Sequence, residues 1–97
     1  MSDVFKALAH PVRRQILEAL KAGPKSAGEI AEGANVSKPT LSGHFAKLKE
    51  ADLIRADQDG TTIYYTLNVS VLEEAVLKFM ETMNITEAMN ITEESKK

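Results

Sequence analysis

The chain has 97 residues, 43% hydrophobic and 27% charged, with a formal net charge of −2 and no cysteine. This size fits one small domain, the composition is that of a globular rather than a disordered protein, and the missing thiols exclude disulfides, thiolate metal sites and thiol redox chemistry. No apolar run approaches the roughly 20 residues that cross a bilayer, and residues 1–10 lack the basic-then-apolar order of an export signal, so a cytoplasmic protein with no membrane partner is expected.

Val4, Phe5 and Leu8 make a short apolar stripe at helical spacing, closed by His10-Pro11. Pro11 restricts the residue before it and suits the first turn of the next helix, where its missing N–H has no partner to lose. His10, at that boundary, suits a capping role rather than chemistry. The second helix runs to about residue 22, with Val12, Ile16, Leu17 and Leu20 on one face, and Gly23-Pro24 stops it. Arg13 and Arg14 near its start are candidates to reach phosphates, with one of them expected to make only an intramolecular ion pair.

Ser26-Ala27-Gly28-Glu29 is a capping-box pattern, in which the Ser and Glu side chains each satisfy a free backbone N–H. The short helix it opens is expected to bury Ala27, Ile30, Ala31 and Ala34. Gly33-Ala34-Asn35 supplies a break, because Gly and Asn tolerate left-handed backbone, and Val36 plugs the turn. Ser37 follows as an N-cap with Pro39 in the first turn. Leu41, Phe45 and Leu48 then recur at i, i+4 and i+7. The opposite face carries Pro39, Thr40, Gly43, Ala46 and Lys47, flanked by Ser42 and His44.

An apolar inside with a small, polar, basic outside is what a helix reading a DNA groove requires. The overall negative charge does not oppose this. Residues 37–49 hold Lys38, Lys47 and Lys49 and no acid, and the local field decides phosphate attraction within a Debye length of about 8–10 Å.

Residues 53–57 and 61–67 read as two strands, the second with Ile63, Tyr65 and Leu67 on one side, joined by the turn Asp57-Gln58-Asp59-Gly60. Of the neighbours Tyr64 and Tyr65, one belongs to the core and the other to the surface. Ser70-Val71-Leu72-Glu73 is a second capping-box pattern, opening a helix with Leu72, Val76, Phe79, Met80 and Met83 along one flank. That stripe serves either core packing or a dimer face. A direct repeat, Met83-Asn84-Ile85-Thr86-Glu87 and Met89-Asn90-Ile91-Thr92-Glu93, has a period of six that fits neither a heptad nor one strand face. It reads as a short duplication, leaving residues 1–86 as one domain and 87–97 as a polar tail. The Asn-x-Ser/Thr triplets at Asn68, Asn84 and Asn90 read as chance matches in a chain without an export signal.

The order of elements is a helix-turn-helix followed by a β-hairpin wing: mainly α with a small hairpin, four helices, two strands and a last helix. An enzyme reading fails on inventory: there is no cysteine nucleophile, nucleophile-elbow serine or phosphate-cradling glycine loop, and the two histidines lie far apart in sequence.

The run VFKALAHPVRRQILEAL, then SAGEIAEGANVSKPTLSGHFAKLKEADLI and TTIYYTLN, resembles the ArsR family of small winged-helix repressors over residues 4–79. KALAHPVRRQIL and SKPTLSGHF bring it nearest to that family's metal-free autorepressors. The resemblance implies a homodimer built from the first and last helices, with Val4, Phe5, Leu8, Leu72, Val76, Phe79, Met80 and Met83 at the interface. It also implies binding to an inverted-repeat operator in double-stranded DNA near its own promoter.

Ser37, Lys38, Pro39, Thr40, Ser42, Gly43 and His44 match the family's DNA-facing stretch. Gly43 stands where relatives often carry Arg, Gln or His, so one base-reading side chain is lost. Arg55 and residues 57–62 match the wing; because Asp57 and Asp59 face phosphates unfavourably, Arg55, Thr61 and Thr62 are expected to make the contacts. Arg13 and Lys47 add phosphate attraction.

Metal-sensing relatives place cysteines on the third helix, or histidine and carboxylates on the last. Here residues 26–30 have no thiol, and Glu73, Glu74 and Glu81 have no histidine beside them, a poor set for a zinc-type ion. No metal or other cofactor is expected. An effector is not legible, though a cleft near Phe5, Phe79 and Met83 is a place for one. The competing reading is a winged-helix module that binds protein and has given up DNA, which the net charge and Gly43 favour and the acid-free stretch at 37–49 opposes.

Overall fold

The computed structural model describes residues 3–84, in the order α1 (Asp3–Leu8), α2 (Pro11–Leu20), β1 (Lys25–Ser26), α3 (Ala27–Ala34), α4 (Lys38–Glu50), β2 (Ile54–Asp59), β3 (Thr62–Leu67) and α5 (Val69–Thr82). The expected polar tail at 87–97, and the repeat from residue 85 onward, lie outside the described residues.

Pro11 opens α2 as expected. The residue before it, His10, is extended at φ −101°, ψ 129°, and its Nδ1 accepts from the Val12 N–H at 3.1 Å. The capping box of α3 is complete: the Glu29 N–H donates to Ser26 Oγ at 3.2 Å, and the Ser26 N–H donates to Glu29 Oε1 at 2.9 Å. That backbone bond from Ser26, helped by its hydroxyl and by Lys25, holds the Glu29 carboxyl below its ordinary value against an opposing desolvation.

The core lies where α2, α3 and α4 converge on the root of the hairpin. Ile16, Leu17 and Leu20 of α2, Ile30 of α3, and Leu41, Phe45 and Leu48 of α4 are buried together with Leu53 and Ile54. Phe45 stacks on Tyr65 of β3 with centroids 4.3 Å apart and planes 14° from parallel. Tyr65 is therefore the tyrosine that packs against the core, while Tyr64, opposite Asp57, is half-buried rather than exposed as expected.

The sheet has three strands rather than two. β1 pairs antiparallel with β3, Lys25 opposite Tyr65 and Ser26 opposite Tyr64, giving the order β1-β3-β2. A two-residue strand has no alternation to read, which is why the sequence shows only a hairpin. The third strand braces the hairpin against the helices, since two strands alone are marginal in water.

Two turn assignments shift. Asp57, Gln58 and Asp59 belong to β2, and the chain reverses at Gly60-Thr61 between the paired residues Asp59 and Thr62. Gly60 takes the positive φ (65°) that a tight hairpin turn demands at its first central position. At the other end of the hairpin, the expected box Ser70–Glu73 does not form. Asn68 occupies the N-cap position without a side-chain cap bond, and α5 starts at Val69. Asn68 is held back by the corner before β2: its N–H donates to the Leu53 carbonyl at 2.8 Å and its Nδ2 to the Asp52 carbonyl at 3.0 Å.

Leu48 is completely buried where α4 meets the hairpin root. Leu48→Ala is expected to cost about 2–5 kcal/mol in denaturant unfolding at fixed protein concentration, because the packed site cannot close over the vacated volume.

Candidate nucleic-acid interface

The angle between α3 and α4 depends on one residue. Asn35 closes α3 in the left-handed conformation, φ 56°, ψ 43°, and its N–H donates to the Ala31 carbonyl. The Val36 N–H donates to the same carbonyl at 3.3 Å, which folds Val36 onto the core. Of the expected breakers Gly33 and Asn35, the asparagine supplies the turn, and Gly33 remains inside the helix.

α4 begins at Lys38 with Pro39 in its first turn. Ser37 is at the N-cap, but its hydroxyl donates to Thr40 Oγ1 at 2.9 Å instead of accepting from the helix backbone. Pro39 explains part of this difference, since one of the two N–H groups that an N-cap side chain normally reaches is missing. The first turn consequently presents the positive end of the helix dipole without a capping oxygen from Ser37.

Leu41, Phe45 and Leu48 root this helix. Ser37, Lys38, Pro39, Thr40, Ser42, Gly43, Ala46 and Lys47 are all exposed on its outer surface. A Cβ added at Gly43 would meet nothing within 4 Å, so the space outside this position is open. The Lys38 side chain leans back over α3, with its Cε and Nζ the atoms that a Cβ on Gly28 would approach. There it borders a groove of about 410 Å³ lined also by Ser26, Thr61, Thr62 and Tyr65. Ile63 lines this groove too and is 44% exposed. The pleat does put it on the side of Tyr65 and Leu67, but β1 ends opposite Tyr64, one residue short of it, and the wing extends past the core.

Thr61 is exposed at the wing tip, Thr62 is half-buried, and Arg55 is exposed opposite Thr66. Asp57 and Asp59 share the β2 face with Arg55, as the alternation of a strand requires.

Two of the sequence-picked residues are engaged by the backbone of α1. Arg13 donates from Nε to the Ala7 carbonyl at 2.6 Å and from Nη2 to the Lys6 carbonyl at 3.0 Å. Arg14 donates to the Leu8 carbonyl at 2.7 Å. In place of the expected ion pair, both arginines satisfy carbonyls at the end of α1, which a helix C-terminus leaves without partners. His44 is half-buried, with Nδ1 3.3 Å from Arg13 Nη1 and its ring 4.4 Å from that of His10. Desolvation, then the neighbouring His10 and Arg13 charges, hold its imidazole below the ordinary value.

The helices expected at a dimer face divide in two. Val4 is buried, and Leu8 and Leu72 pack against the core of the same subunit. Phe5 is half-buried against Phe79, ring centroids 5.2 Å apart, beside a cleft of about 380 Å³. Val76, Phe79 and Met83 are exposed, and Met80 is half-buried. The sequence reading missed Val69 and Leu77, exposed at 54% and 50%. Leu77 lies off the single flank that periodicity singles out, whereas Val69 continues that flank one turn earlier and was passed over because the helix was expected to open at Ser70.

The helix-turn-helix domain family matches residues 8–57. The transcriptional repressor SdpR of Bacillus subtilis (strain 168) is 47% identical over 76 residues, 78% of this chain and 84% of that protein. The chain belongs to the ArsR family of winged helix-turn-helix transcriptional regulators. A crystal structure of an ArsR family transcriptional regulator superposes with a TM-score of 0.75 at 25% identity, covering 88% of each chain. The solution structure of a homodimeric winged helix-turn-helix DNA-binding domain from Mycobacterium bovis, a possible member of the same family, gives a TM-score of 0.68 at 28% identity. It covers 88% of this chain and 81% of that one. Within this ArsR frame α3 and α4 are the helix-turn-helix, and β2 with β3 is the wing.

Because the turn between them needs a left-handed residue, Asn35→Gly is expected to leave thermal stability close to that of the parent chain. Asn35→Val should lose about 1–2 kcal/mol, the cost of a left-handed backbone in a β-branched residue that lacks the local hydrogen bonding of asparagine, measured by the same melting experiment.

Proposed function

We propose that this chain is a cytoplasmic, homodimeric repressor that binds an inverted repeat in duplex DNA, that of its own promoter included, and blocks transcription by covering it. The single observation that carries the reading is α4. It is rooted by three buried apolar side chains, its outer surface is small, polar and basic, and no acid occurs between residues 37 and 49. The kinship with SdpR, named a transcriptional repressor, and with a homodimeric DNA-binding domain supports it.

Dimerisation supplies the second reading head. Val69, Val76, Leu77, Phe79 and Met83 form an exposed apolar set on α5, which a second copy would cover. A twofold pairing puts the two α4 helices about 34–36 Å apart, one turn of DNA, so that palindromic half-sites match the protein symmetry.

Contacts divide by kind. Lys38 and Lys47, with Arg55 on the wing, neutralise phosphates and set register, while Ser37, Thr40 and Ser42 reach base edges or phosphates. Pro39 and Gly43 admit the backbone close to the groove floor. Thr61 and Thr62 carry the wing contact, because Asp57 and Asp59 are repelled by the backbone charge. Arg13 contributes through α1 rather than by touching DNA, since its guanidinium is already bonded to two carbonyls.

Lys47→Ala should weaken binding to every duplex alike and flatten the slope of log affinity against log salt by about one unit for each phosphate that a subunit no longer neutralises. Thr40→Ala should instead change the preference between sites. Both are read by titrating purified protein against its own upstream region and against competitor DNA over a range of salt. Tight binding that ignores salt would remove the phosphate-anchoring basis of the proposal.

A further inference from the structure

Behind the outer edge of α4, ionisable side chains from three segments meet. Arg13, on α2, has Nε and Nη2 on the Ala7 and Lys6 carbonyls of α1 and presents Nη1 to His44 Nδ1 of α4 at 3.3 Å. His10, at the corner between α1 and α2, places its ring 4.4 Å from that of His44 and tilted by 52°. Its own Nδ1 is engaged by the Val12 N–H. A guanidinium has donors only, so the Arg13–His44 contact uses the lone pair of Nδ1 and requires a neutral ring with its proton on Nε2.

Resting on the DNA-binding reading above, we infer that His44 is a positioning residue: its neutral imidazole joins α4 to the corner of α1 and α2 through Arg13, and protonation opens that joint. An imidazolium would turn an N–H toward the Arg13 fork and set a second positive charge directly against that guanidinium. The other charged groups nearby are Asp3 and Lys6 of α1 and Lys47 and Glu50 of α4, which line a cleft of about 230 Å³ shared with Arg13. Desolvation is the main opponent of His44 protonation, and the neighbouring His10 and Arg13 oppose it further.

The joint is therefore closed at neutral pH and opens on acidification. Opening takes up a proton on each subunit, so falling pH favours the open form. The arrangement also has a second end. Arg13 is fastened to the carbonyls of α1, and α1 carries Phe5 against Phe79 of α5, so one guanidinium spans from the α1–α5 face to the reading helix.

The test uses the full chain and a duplex that it selects from a random-sequence pool, with mixed-sequence DNA as competitor. The ratio of the two affinities is followed at constant ionic strength from about pH 8 to about pH 5, the range in which an imidazole titrates. The ratio cancels the general gain in phosphate attraction that acid brings. For the parent chain it should fall several-fold on acidification. His44→Asn offers an amide oxygen close to the place of Nδ1 and has no proton to gain; it should match the parent at pH 8 and then stay flat. His10→Asn retains a good N-cap and removes one opposing charge, so it should move the midpoint upward.

A flat profile in the parent, an equal slope in His44→Asn, or a loss of discrimination by His44→Asn at pH 8 each overturn the inference, the last because the ring itself would then be reading DNA. A nuclear magnetic resonance titration of the free protein is the arm that needs no DNA. The Ala7 and Leu8 amides, which share peptide groups with the two carbonyls bonded by Arg13, should shift with the midpoint of the His44 ring. If no duplex is selected at all, the DNA-binding reading fails, while amides that ignore the His44 midpoint overturn the joint by themselves.

Discussion

Leu41, Phe45 and Leu48 lie one helical turn or so apart along α4 and are buried against α2, α3 and the hairpin root. The composition of the outward face of α4 follows from that seam. A helix is about 10 Å across, so a side chain opposite a buried seam stands clear of the protein and is free to meet another molecule. Fixing the seam also fixes which residues face outward, and here these are small, hydroxylic or basic. The stack of Phe45 on Tyr65 extends the seam into the sheet and ties the root of the wing to the helix.

The turn before α4 and the corner before α2 do comparable work at two scales. Asn35 sets the angle at which α4 leaves α3, at the modest cost of a left-handed backbone that asparagine tolerates better than other residues with a Cβ. At the corner, His10 and Pro11 start α2 cleanly while Arg13 and Arg14 close the end of α1. A six-residue helix has too few internal hydrogen bonds to persist alone, so those arginine bonds, with burial of Val4 and Ala7, hold α1 in place. Arginine at these positions thus serves architecture before electrostatics.

α5 is the least committed element. Leu72, Val71 and Ala75 pack on the core, yet no residue of the helix is fully buried, and four large apolar side chains stay exposed along it, with Met83 a fifth at its C-cap. A single subunit of this size has little surface to hide them. The proposed twofold assembly would resolve that imbalance and at the same time set the spacing of the two reading helices.

Much of this was legible in the chain itself. The i, i+4, i+7 seam of α4, the capping box of α3, the His10-Pro11 boundary and the asparagine turn are written in spacings of a few residues, where local backbone chemistry decides the outcome. The electrostatic character of α4 was equally plain, because charge belongs to residues rather than to their arrangement. What only the tertiary structure decided involves partners distant in sequence. β1 exists because β3 lies beside it; Asn68 displaces the expected cap of α5 because the Leu53 and Asp52 carbonyls claim it. Arg13 and His44, 31 positions apart, look like two DNA contacts in the sequence and become a clasp in the fold. A guanidinium takes the nearest unsatisfied carbonyls, and which carbonyls are nearest is a property of packing that no local pattern encodes.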